Sequence, residues 1–181
     1  MIKPLTDFPL ISTVRLRITP LLDGDVSAFP RLTDDPSITE VVEFLPTPFT
    51  ELDALELLRT QDKNNCFLGA WLGEDLVGTV GIHLRKQDRL EIGYWVGTRF
   101  QGLGYEHEAT SAVIAELTQA YDGLEITAEC RSENAPSWKR LQKLGFRFTG
   151  ERGHRPGREL LKLVGISPRK RFDASGESDQ C

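Results

Sequence analysis

Leu90-Glu91-Ile92-Gly93-Tyr94-Trp95-Val96-Gly97-Thr98-Arg99-Phe100-Gln101-Gly102-Leu103-Gly104-Tyr105 is the stretch on which the reading of this chain turns. In its first half Leu90, Ile92, Tyr94 and Val96 fall on one side of an extended chain, and Glu91, Gly93 and Trp95 fall on the other. That period of two marks a strand. After Gly104 the period becomes 3.6, with Ala109, Val113 and Leu117 on one helical stripe and Ala112 and Ala120 beside it. A strand that enters a helix through Gly102 and Gly104 lets backbone N–H groups converge on an anion where the helix dipole also favours negative charge. His107 occupies the position of the third glycine of a dinucleotide fingerprint, and no Gly-Lys-Ser/Thr follows, so neither that motif nor a P-loop is present.

Upstream, Val14 to Leu22 alternates like a first strand, Gly24 to Asp35 reads as a weak helix interrupted by Pro30, and Pro36 to Phe49 reads as irregular and mobile. Thr50-Glu51-Leu52-Asp53 resembles a capping box, so a helix is expected from there to about Asn64. Strands follow at Cys66 to Leu72, Leu76 to Arg85 and Leu90 to Val96, joined by short polar turns. Downstream lie a strand at Leu124 to Cys130, a helix at Pro136 to Leu144 stopped by Gly145, and strands at Phe146 to Gly150 and Leu160 to Val164. The expectation is one α/β domain over residues 1–165 and a disordered tail over 166–181, where apolar periodicity is absent.

The chain has 181 residues, 39% of them hydrophobic, and no apolar run long enough to span a bilayer. The N-terminus lacks a signal-peptide pattern, and the three separated cysteines Cys66, Cys130 and Cys181 form no C-x-x-C pair. A cytoplasmic location with reduced thiols, no metal and no membrane partner is therefore expected. The net charge of −5 is unevenly spread: nine acids stand against Arg31 between Asp23 and Glu56, and eleven bases stand against Glu151 and Glu159 between Lys139 and Arg171. The acidic part suits a cationic amine and the basic part a phosphate-bearing ligand, although both would also suit solvated surfaces. Overall acidity argues against nucleic-acid binding.

Arg99-Phe100-Gln101-Gly102-Leu103-Gly104 resembles the R/Q-x-x-G-x-G/A pyrophosphate loop of the GNAT superfamily of N-acetyltransferases. Asn134-Ala135-Pro136-Ser137-Trp138-Lys139-Arg140-Leu141-Gln142-Lys143-Leu144-Gly145-Phe146 is similar to a second segment of that family, N-x-x-S…L-x-K-L-G-F. The pattern around Gly93-Tyr94-Trp95-Val96 and Glu108-Ala109 is nearest to the RimJ/RimL-like branch, which acetylates N-terminal amines of ribosomal proteins and, in relatives, other amines. The resemblance implies a mixed, mostly antiparallel sheet of about seven strands with about four helices. It implies acetyl-CoA as co-substrate, an amine acceptor that is a small molecule or a protein N-terminus, and an oligomeric state left open between monomer and homodimer.

The resemblance also assigns expected roles. Glu91 sits where the family often has its water-relayed base, although a glutamate on a solvated sheet face would read the same. Ser137 is the expected proton donor to the leaving sulfur, or else a small polar residue in a first helical turn. Asn134 is expected at the pantetheine arm, or as a helix cap. Tyr94, Trp95 and Val96 would hold the thioester and pantetheine through their backbone, and Arg99, Phe100, Gln101, Gly102, Leu103, Gly104 and Tyr105 would form the phosphate loop. Glu106 departs from the branch pattern and is expected to point away from a bound pyrophosphate. A non-catalytic acyl-CoA sensor or interaction module would share the loop but leave Glu91 inert.

Overall fold

The computed structural model describes residues 3–86 and 88–164. Eight strands form one sheet: β1 (Ile11–Ser12), β2 (Arg17–Pro20), β3 (Asn65–Leu72), β4 (Asp75–Arg85), β5 (Arg89–Val96), β6 (Glu125–Cys130), β7 (Phe146–Arg152) and β8 (Glu159–Leu163). Their spatial order is β1-β2-β3-β4-β5-β6-β8-β7, antiparallel throughout except for the parallel pair β5–β6. Five helices complete the fold: α1 (Ala28–Thr33), α2 (Pro36–Thr39), α3 (Glu51–Arg59), α4 (Tyr105–Ala120) and α5 (Ala135–Lys143). The expected mixed, mostly antiparallel α/β architecture is present, with one more strand and one more helix than expected.

The alternation along the central strands divides the core in two. Leu68, Val80, Ile82, Leu90 and Ile92 pack toward α4, whose Ala109, Val113 and Leu117 are buried with Ile114 against them. Phe67, Trp71 and Trp95 point to the opposite face and pack with Phe29, Leu32, Phe49, Ala54 and Leu58, supplied by α1, α3 and the segment between them. Burying a large side chain of this kind contributes about 1.5–3 kcal/mol. On α5, Leu141 and Leu144 are buried and Trp138 packs on the edge of the first cluster, as the apolar spacing of that helix predicts.

Several boundaries differ from the sequence reading for identifiable reasons. Val14 is 97% exposed because it lies in a turn between β1 and β2, closed by Thr13, whose Oγ1 accepts from the Leu16 N–H at 2.9 Å. The segment Pro36–Phe49 is irregular after α2, which Asp35 caps through the Ser37 N–H at 2.9 Å, yet Ile38, Leu45 and Phe49 enter the core. Helix α3 begins with the expected Thr50–Asp53 capping box but ends at Arg59, five residues short of Asn64. There Asp62 turns the chain by accepting from the Asn64 N–H at 2.8 Å. Residues 166–181, expected to be a disordered tail, lie outside the described residues.

Candidate active site

The central feature is where β5 and β6 part. They pair from Arg89–Glu125 to Ile92–Ala128, after which Gly93 to Val96 pair with β4 alone. The Gly97 N–H donates to the Val77 carbonyl at 3.1 Å, so by the alternation of an antiparallel ladder Trp95 and Gly93 also turn their main chain toward β4. Tyr94 and Val96 turn theirs the other way, into the gap. The Val96 carbonyl there accepts from the Gln101 side-chain amide at 3.3 Å.

A cleft with about 790 Å³ of open space occupies this gap, with Gly93, Tyr94 and Trp95 on one wall and Cys130, Asn134 and Ser137 on the other. Glu91 and Ser137 both line it. Asn134 lines it while also capping α5, its Oδ1 accepting from the Ser137 N–H at 3.2 Å. Both readings of Asn134 are thus compatible with its position. Tyr94 points toward α4; burial, with the nearby Glu106 carboxylate, pushes its phenol well above the ordinary value. Its hydroxyl is buried with no well-formed hydrogen bond, although Ser137 and Glu106 lie close by. Trp95 contributes only its backbone to the gap: its ring stacks 6.0 Å from Phe29 and its Nε1 donates to Thr33 Oγ1 at 3.1 Å.

The glycine turn opens α4. Gly102 and Gly104 have φ of +74° and +82°, a left-handed conformation that other residues enter at a cost. Gly104 is the N-cap and carries no side chain, so the first-turn N–H groups are left for another acceptor. A second hollow, with about 900 Å³ of open space, lies beside them, lined by Phe100, Gln101, Gly102 and Gly104 with Arg140 and Lys143 from α5 opposite. The two bases realise the basic bias read from the sequence. Arg99 is exposed and stacks over the Phe100 ring at 4.7 Å. Leu103 is exposed, and its carbonyl is held by Arg15 Nη1 at 2.9 Å, while Tyr105 lies under the Arg15 guanidinium at 4.4 Å.

Glu106 corrects the expectation made for it. It points into the hollow, with its carboxylate 3.3 Å from Arg140. Burial pushes its carboxyl above the ordinary value, against the pull of Arg140.

Sequence reasoning missed the surroundings of Glu91. Glu91 is 3% exposed and pairs with Arg85, Nε to Oε2 at 3.2 Å, and with Arg155 Nη2. His154 Nδ1 stands 3.3 Å from Glu91 Oε2 and 2.5 Å from Glu129 Oε1, and Arg155 Nε reaches Glu129 Oε2 at 3.0 Å. Burial opposes the Glu129 charge, but the His154 backbone N–H and the Arg155 guanidinium outweigh it and hold the carboxyl below its ordinary value. Glu91, Glu129 and His154 gather donor atoms within 4.8 Å of one another, yet their carboxylates already accept from guanidinium groups that supply the positive charge a cation would. Arg155 and Glu91 are 64 positions apart, and no local spacing signals their meeting.

Residues 15–147 match the family model described as the acetyltransferase (GNAT) domain. The chain belongs to the GNAT acetyltransferase family. Among GNAT relatives it is similar to N-acetyltransferase p20 of Bacillus licheniformis, with 30% identity over 145 residues, 75% of this chain and 79% of the relative. Its fold is similar to that of a GNAT-family acetyltransferase from Bacillus anthracis, with a TM-score of 0.74, 23% identity, and coverage of 86% of this chain and 98% of that one. It is also similar to RimL, a ribosomal L7/L12 alpha-N-protein acetyltransferase solved in complex with coenzyme A, with a TM-score of 0.71, 13% identity and coverage of 86% and 98%. Among the described residues no helix is long and apolar enough to cross a membrane.

Proposed function

We propose that this chain transfers an acetyl group from acetyl-CoA to a primary amine by direct attack of the amine on the thioester, as an N-acetyltransferase with the general design of the RimJ/RimL-like branch. The observation that carries the reading is the β5–β6 gap, with the Tyr94 and Val96 backbone turned into it, together with the uncapped N-terminus of α4, into which β5 leads through residues 97–104. Main-chain groups of Tyr94 and Val96 are suited to an extended amide-bearing arm and a carbonyl oxygen. Gly102, Gly104 and the first-turn N–H groups, with Arg140 and Lys143 opposite, are suited to phosphates.

Acetyl-CoA would supply an activated acyl carbon. The nitrogen–carbon bond forms as the carbon–sulfur bond breaks; the amine proton passes through water to Glu91, and Ser137 protonates or hydrogen-bonds the departing sulfur. An amine is mostly protonated at neutral pH, with a pKa of about 8 for an α-amine and about 10.4 for lysine, so a proton acceptor is required. A thiol leaves with a pKa near about 8.5, so the demand on Ser137 is smaller. Asn134 orients this wall by fixing the first turn of α5.

One observation favours a non-catalytic acyl-CoA sensor: both Glu91 oxygens already accept from guanidinium donors. Calorimetric titration with acetyl-CoA and with CoA, followed by a thiol-release assay with amines, separates the two. Micromolar binding with amine-dependent release supports transfer, binding without release over a broad amine panel supports the sensor, and no binding refutes both. Glu91→Gln should lower kcat by about 100-fold or more if Glu91 is the base; an unchanged rate removes it from the mechanism.

A further inference from the structure

The cleft is lined by more guanidinium groups than carboxylates. Three arginines, Arg131, Arg155 and Arg158, line it. Arg155 is engaged by Glu91 and Glu129. Arg131 and Arg158 share Glu43, whose side chain is 36% exposed; it touches Arg131, which also stands 3.7 Å from Glu133, but is 3.8 Å from Arg158. The Arg158 side chain is 12% exposed, Nη2 donates to the Val41 carbonyl at 3.2 Å, and Nε is buried with no hydrogen-bond partner among the described residues. Burial, and then the charges of Arg155 and Arg131, push its guanidinium below the ordinary value. A buried guanidinium with an orphaned donor is costly unless an anion joins it.

Three of the nine acids in the segment that the sequence suggested for a cation are occupied elsewhere. Asp34 accepts from the Phe49 N–H at 2.9 Å, Asp35 from Ser37 and Thr98, and Asp53 from Thr50. His83, which also lines the cleft, adds no positive charge near neutrality, because burial lowers it to about 4. Phe44 and Phe67, whose rings lie 6.4 Å apart, give the cleft an aromatic side.

We propose that the acceptor is an amino-carboxylate, a free amino acid with an apolar side chain, whose carboxylate is held by Arg158 with Arg131 beside it and whose amine faces Glu91. A carboxylate can accept from the guanidinium N–H groups that Val41 and Glu43 leave free, while an apolar side chain suits Phe44 and Phe67. A diamine would instead bring a second positive charge against the arginines. The proposal rests on the acetyltransferase reading and narrows its acceptor.

The test uses the full chain with acetyl-CoA and follows thiol release with L-leucine and L-phenylalanine, their carboxamides, and the decarboxylated amines. The amino acids should exceed the amides by about 10- to 150-fold in kcat/KM, the range for a charge-assisted hydrogen bond lost. Arg158→Gln should bring that ratio toward one, with Arg131→Gln as a second variant should the first fail to fold. Independently of turnover, N-acetyl-leucine and N-acetyl-phenylalanine should raise the melting temperature of the CoA-saturated protein, and their amides should not. Amides or plain amines equal to the amino acids in both assays overturn the carboxylate site and leave the acetyltransferase reading intact. Binding of the N-acetyl acids with no turnover of any amine supports the carboxylate site and overturns transfer. Neither binding nor turnover overturns both.

Discussion

Gly102→Asp probes the phosphate loop with a magnitude that can be worked from its geometry. Gly102 has φ of +74°, and an ideal Cβ there would meet no heavy atom within 4 Å, so the substitution meets strain but no clash. Left-handed backbone costs a non-glycine residue about 1–2 kcal/mol, with aspartate among the better tolerated. For a domain of this size about 1 kcal/mol lowers Tm by about 2–4 °C, so the protein should remain folded. Two phosphate charges about 5 Å from the new carboxylate would be repelled by about 2–7 kcal/mol for effective dielectric constants between about 80 and 20. Even the lower figure weakens CoA about 15-fold or more. Calorimetry with CoA on the wild type, Gly102→Ala and Gly102→Asp separates strain from charge, since alanine carries the first alone. Full affinity in the aspartate variant, or an equal loss in the alanine variant, would refute the placement of phosphates at this turn.

Glu106→Gln removes a buried acid from the lining of the same hollow and should tighten CoA several-fold at neutral pH; unchanged or weaker binding by calorimetry would mean that the Arg140 pairing matters more than the repulsion. His83 is held near 4 by burial, below its ordinary 6.5, so the unfolded chain takes up a proton before the folded one does. Its stabilising contribution is present above pH 6.5 and is lost as pH falls from there toward 4. Denaturant unfolding at several pH values should show that slope, by up to about 2–3 kcal/mol, and His83→Gln should flatten it. Glu129 acts at lower pH: its carboxyl is held below the ordinary 4.5, so its contribution is present above that value and lost as pH falls below it. Glu129→Gln should therefore reduce stability at pH 7 more than at pH 3; an equal loss at both would refute the ion pairing.

The sequence was most informative where local rules decide the outcome. β3, β4 and β5 are largely apolar runs bounded by polar turns, α4 carries a continuous apolar stripe, and Thr50 and Gly145 punctuate helices as their chemistry requires. Val14 misled because a hairpin turn can carry a valine that alternates in phase with the strand beside it. Pro36–Phe49 was legible as largely irregular chain, but the tertiary burial of Ile38, Leu45 and Phe49 was not, because local composition does not express it. In the site, the glycine turn and Ser137 were visible through motif spacing. Glu129, His154, Arg155 and Arg158 were not, since their arrival around Glu91 and its cleft depends on the order of β6, β7 and β8 in the sheet.

The parting of β5 and β6 also divides the cleft by its distance along the chain. One side, from Tyr94 through Gly104, is a nearly continuous run of eleven residues whose shape is set locally. The other draws on Val41 and Phe44, on Glu129 and Arg131, and on Arg155 and Arg158, three segments that meet only in the finished fold. On the proposed reading, the first side holds the donor and the second the acceptor. Loop exchange in those three segments can therefore change which amine is recognised while the coenzyme grip is inherited intact, and the two specificities can drift at independent rates.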